Sequence, residues 1–62
     1  MTLKTLLEVC YPETTIHLLF KDNVSISGTV HSLSQLLAED KLSLKVRQIE
    51  VRNFEFKAYM EG

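Results

Sequence analysis

Thr15-Ile16-His17-Leu18-Leu19-Phe20-Lys21-Asp22-Asn23-Val24-Ser25-Ile26-Ser27-Gly28-Thr29-Val30 alternates apolar and polar residues on both sides of a short polar break. Ile16, Leu18 and Phe20 share one face of a strand, and Val24, Ile26, Gly28 and Val30 share one face of a second. A two-residue Asp22-Asn23 loop would set Phe20 opposite Ser25 and mix the two kinds of face. A three-residue loop of Lys21, Asp22 and Asn23 instead pairs Phe20 with Val24, Leu18 with Ile26 and Ile16 with Gly28. A slip of one residue turns every side chain to the wrong face, so the three-residue loop is predicted. Asn23 then takes the left-handed conformation, which asparagine tolerates. A glycine inside a strand predicts a bulge, or a close approach of another backbone, at Gly28.

On the N-terminal side, Leu3, Leu6, Leu7 and Cys10 recur at i, i+3, i+4 and i+7, one stripe of a helix running from Thr2 to Cys10. Thr2 is the predicted N-cap, and Pro12 ends the segment because the residue before a proline avoids helical dihedrals. On the C-terminal side, Ser32-Leu33-Ser34-Gln35 reads as a capping box with Ser32 as N-cap. Leu33, Leu36 and Leu37 would line the buried face of the short helix that follows. Glu39 and Asp40 should close it, since acidic side chains are unfavourable at the negative end of a helix dipole. Leu42, Leu44 and Val46 alternate, whereas Ile49 and Val51 continue in the opposite phase. That break predicts a bulge or a new strand start near Arg47-Gln48. Phe54, Phe56, Ala58 and Met60 form the last alternation. An Arg52-Asn53 loop would pair Val51 with Phe54 and Ile49 with Phe56. It leaves Glu50 opposite Glu55, a like-charge pair for Lys57 or Arg52 to relieve. The predicted fold class is α+β: an N-terminal helix packed on two antiparallel β-hairpins with a short helical turn between them.

The 62 residues make a single domain, 1–62, and a domain of this size buries only about 60% of the surface its unfolded chain exposes. Such a core supplies roughly 3–5 kcal/mol, so chains this short lean on staples or partners. A single cysteine, Cys10, excludes an internal disulfide framework. Cys10, His17 and His31 lack zinc-site spacing, and neither metal nor cofactor is expected. Self-association is the staple that remains. The net charge of −1 comes without a basic stripe, which speaks against a grip on nucleic acid. No apolar run approaches membrane length and the first ten residues are not a secretory signal, so a cytoplasmic protein is expected.

Residues 53–59 carry the F-x-F-x-x-Y spacing of a base-stacking RNP motif in Phe54, Phe56 and Tyr59. Asn53 stands where that motif has glycine, and Glu55 places a negative charge between the rings. The competing reading puts Phe54 and Phe56 in the core. Lys21-Asp22-Asn23 to Gly28 loosely resembles the first motif of a small Sm-type barrel, but the Arg-Gly dipeptide of the second motif is absent. His17 faces Ser27 across the first hairpin and His31 would lie near Glu13. A Ser–His–acid site built from these would need an oxyanion hole and a pocket, so no catalytic residue is assigned. Leu19 points away from the core face, and Val46 and Tyr59 face outward together in the second hairpin. These three are the predicted oligomer or partner contacts.

The layout resembles a group of small tail-region accessory proteins of tailed phages of Firmicutes. The matching residues are Thr2, Leu3, Leu6 and Leu7; Asp22-Asn23; Gly28 and Val30; Leu33, Leu36 and Leu37; and Val46, Ile49 and Val51. They span nearly the whole chain, though each motif is mostly hydrophobic pattern. The resemblance implies a non-enzymatic homo-oligomer, a hexameric ring in a member from a Bacillus siphophage, acting as a chaperone in virion or tail assembly. It implies phage structural proteins as partners and offers no catalytic residues. Two other classes stay open: a nucleic-acid-binding module using Phe54, Phe56 and Lys57, and a phage-encoded inhibitor of a host protein.

Overall fold

Thr2 caps the first helix as its position predicts: its Oγ1 accepts the Thr5 backbone N–H at 3.3 Å. In the computed structural model, which describes residues 1–61, helix α1 runs Leu3–Val9. Leu3, Leu6 and Leu7 are buried, and Cys10, extended just past the helix, packs partly buried against the core. Strands β1 (Thr15–Leu19) and β2 (Ser25–Thr29) then form the first hairpin. Ile16 lies opposite Gly28 and Leu18 opposite Ile26. The Phe20 N–H donates to the Val24 carbonyl at 2.8 Å, and Asn23 has φ 61°. This is the register that the alternating faces require.

Gly28 departs from expectation. The β1–β2 register runs without a break from Thr15 and Thr29 to Leu19 and Ser25, so there is no bulge. A Cβ built at Gly28 would meet only the Leu33 side chain, at 3.8 Å, an ordinary contact. Gly28→Ala is therefore expected to stabilise the domain by about 0.5–1 kcal/mol, by restricting the unfolded chain. Thermal denaturation would register this as a rise of several degrees.

Helix α2 (Val30–Leu36) begins two residues before the predicted capping box. Thr29, not Ser32, is the N-cap, its Oγ1 accepting the Ser32 N–H at 3.1 Å. The earlier start places Val30 and Leu33 on the inner face together, and both are buried. Burial of two apolar side chains outweighs the choice between two hydroxyl caps. Leu36 falls outside that face and is 73% exposed. The helix stops at Leu36, with the Leu37 N–H donating to the Leu33 carbonyl at 3.0 Å. Glu39 and Asp40 do not close it; they open a separate turn, α3 (Glu39–Leu42), where the helix dipole favours acidic side chains. From α3 the Lys41 Nζ reaches 5.2 Å from the centroid of the Phe20 ring.

Strands β3 (Val46–Arg52) and β4 (Glu55–Met60) make the second hairpin. The predicted break is real: Val46 pairs with Met60 but Gln48 with Tyr59, leaving Arg47 in a bulge. Leu42 belongs to α3, and Leu44 lies before the strand, accepting the Leu3 N–H at 2.8 Å. The turn is Asn53-Phe54, with φ 51° and 66°, rather than Arg52-Asn53. Pairing therefore sits two residues from the predicted register, with Val51 opposite Phe56 and Ile49 opposite Ala58. A two-residue shift keeps both faces intact and sets Glu50 against Lys57 instead of Glu55, so opposite charges replace like ones.

The hairpins join through a parallel β1–β4 pair, with Leu18 beside Ala58, to give a four-stranded sheet of order β2-β1-β4-β3. The class is α+β, as the alternation pattern predicts. Leu3, Leu6, Leu7, Ile16, Leu18, Phe20, Val30, Leu33, Ala58 and Met60 form the core.

Candidate functional site

Strand β3 is an outer strand, and its two ends differ. At Val46 the free side is occupied: the Val46 N–H donates to the Met1 carbonyl at 2.8 Å, and Thr2 bridges to Lys45. Beyond the bulge, the only strand that pairs with Gln48 to Arg52 among the described residues is β4. A two-residue hairpin closes on a hydrogen-bonded pair, here Arg52 and Glu55. The antiparallel alternation then turns the N–H and C=O groups of Val51 and Ile49 away from β4, toward the open edge.

Ile49 and Val51 belong to the face that carries the core elsewhere in the sheet, since they pair with Ala58 and Phe56. They are nevertheless 42% and 69% exposed. At the tip beside them, the Phe54 side chain is entirely in solvent. Glu50 and Arg52 line the other face of the same strand. The Tyr59 hydroxyl donates to Glu50 Oε1 at 3.3 Å, and Lys57 lies opposite that carboxylate. The result is an apolar strip with a held carboxylate and a guanidinium behind it, along an unpaired backbone. The other outer strand, β2, presents Ser25, Ser27 and Thr29 between the partly buried Ile26 and Gly28.

Phe54 sits in a left-handed conformation that bulky residues rarely adopt, at the turn position where glycine is usual. Phe54→Gly is expected to raise monomer stability by about 1 kcal/mol, because the left-handed penalty of an L side chain is relieved. Denaturation of dilute protein measures this free of any self-association.

The three predicted contact residues separate. Leu19 and Tyr59 lie side by side across the parallel β1–β4 pair, both partly buried. Val46 does not face outward with Tyr59. It pairs with Met60 and packs against the core, because the bulge at Arg47 resets the phase of the strand. Ile49, Val51 and Phe54 were missed as surface residues because their alternation signals burial. Their exposure follows from the edge position of β3, which the non-local β1–β4 pairing sets and which has no local sequence signal.

The aromatic triplet does not form one platform. Phe54 is in the turn, Phe56 packs partly buried against the core, and Tyr59 lies on the opposite face of the sheet. The reading of Phe54 as a core residue is likewise corrected by its exposure. His17 does pair with Ser27, and its Nε2 lies 3.8 Å from Glu55 Oε2, beyond hydrogen-bonding distance. An open groove of about 330 Å³ runs between the helices, with Cys10 and His31 among its lining residues beside Leu7, Val30 and Leu42. Among the described residues, no group of three or more His, Cys, Asp or Glu side chains converges to hold a metal ion. Nor, among them, is any helix long and apolar enough to cross a membrane. No family model, curated protein or solved structure matches the chain.

Proposed function

We propose that this chain is a non-enzymatic protein-interaction module that assembles with copies of itself. The observation that carries the reading is the open stretch of β3, where Ile49 and Val51 are exposed on the core side of the sheet beside a solvent-exposed Phe54. Apolar side chains flanking an unpaired strand edge are a template for another chain. A core worth only roughly 3–5 kcal/mol gives such a domain reason to gain burial by association. In the form implied by the resemblance to phage tail-region accessory proteins, the assembled copies act in the host cytoplasm as a chaperone for structural proteins of the virion. Light scattering after size exclusion, over a wide range of concentrations, tests the reading. A mass that is a multiple of 7.1 kDa is the expected result; a monomer at every concentration contradicts it.

A further inference from the structure

We infer that a second copy of this chain seats on the open β3 edge in antiparallel register about a two-fold axis at Val51, with Glu50 facing the partner's Arg52. The inference rests on the self-association proposed above and specifies its surface. Two-fold pairing of identical strands keeps the core faces of both copies on one side. A residue of β3 must then lie on the axis, and Ile49, Glu50 and Val51 are the central residues of the open Gln48-to-Arg52 stretch, where pairing covers most of it.

Charge and geometry choose among them. An axis at Glu50 sets Glu50 against the partner's Glu50, two like charges directly opposed. An axis at Ile49 sets Val51 against the partner's Arg47, the bulged residue, and pushes the pairing toward Val46, whose N–H is already taken by Met1. An axis at Val51 sets Val51 on itself and Glu50 on the partner's Arg52, twice by symmetry. It also uses the backbone groups of Val51 that point away from β4. Ile49 then lies diagonal to the partner's Val51, so the two exposed apolar strips become continuous. Glu50 is held for this by the Tyr59 hydroxyl at 3.3 Å. The hairpin tip carrying Phe54 extends alongside the partner's Gln48. The interface is isologous, and the sheet becomes eight-stranded.

The test is a pair of single charge variants, Glu50→Arg and Arg52→Glu, weighed by light scattering alone and as an equimolar mixture. Each variant alone opposes like charges across the axis and is expected to run as a monomer. Mixed, they set arginine against glutamate at both positions, and the dimer mass is expected to return. Circular dichroism checks folding, because the substitutions also face Lys57 and Glu55 within the hairpin. Should either variant unfold, Val51→Cys in a Cys10→Ser background replaces it. A two-fold pair at this position brings its Cα atoms to about 5.5 Å, within disulfide range, so mild oxidation should crosslink the dimer. Wild-type mass retained by each folded charge variant alone, or no crosslink from Val51→Cys, overturns the β3 pairing while leaving self-association standing. A wild-type chain that is monomeric throughout removes both.

Discussion

Leu18→Ala is expected to leave the domain largely unfolded at room temperature. Leu18 is fully buried at the centre of the sheet, between Ile26 on β2 and Ala58 on β4. Truncating a buried leucine costs about 2–5 kcal/mol, the lost transfer energy plus the cavity left behind. The site has little means to collapse, because its lateral neighbour on β4 is already an alanine. A domain of this size holds only roughly 3–5 kcal/mol in its core, so one such loss rivals the whole. The readout is loss of the cooperative thermal transition in circular dichroism. Leu36→Ala, at an exposed leucine of α2, serves as the control and should shift stability by no more than about 0.5 kcal/mol.

Val51→Lys is expected to weaken self-association sharply while the monomer keeps its fold. The side chain is 69% exposed, so its replacement removes little buried area from the monomer. On the axis each substitution acts against its own copy, two ammonium groups directly opposed where two methyl-bearing side chains met. An inward-pointing lysine is also a common natural device for blocking an open edge. Loss of a central interface residue at this scale corresponds to a rise in dissociation constant of about tenfold to a hundredfold. Sedimentation of wild type and variant at matched concentrations measures it, and an unchanged thermal midpoint at high dilution separates the effect from unfolding.

These expectations rest on elements that the sequence discloses unevenly. The first hairpin is legible down to its register, because only one loop length unites Ile16, Leu18 and Phe20 with Ile26 and Val24. Helix α1 is legible because its stripe, its Thr2 cap and Pro12 agree. The second hairpin admits two registers that differ by two residues and preserve the same faces. The observed register gains the Glu50–Lys57 pairing but sets a phenylalanine in a left-handed turn, against residue preference, so local signals conflict. The start of α2 was hidden because Thr29 and Ser32 are both good caps, and the burial of Val30 chose between them. The parallel joining of β1 to β4 is a non-local pairing with no local signature. That pairing also places β3 at the edge, so no reading of β3 alone could find Ile49 and Val51 exposed.

Amide hydrogen exchange as a function of protein concentration probes the β3 edge residue by residue. In the monomer the Val51 and Ile49 amides turn away from β4 and should exchange rapidly, while Leu18 in the sheet centre should be protected. If a second copy seats on β3, protection at Val51 should rise steeply with concentration, with the β2 amides unchanged. Exchange at Val51 that stays fast at concentrations where light scattering reports an assembled species would contradict the account, and protection gained along β2 instead would move the interface to the other edge.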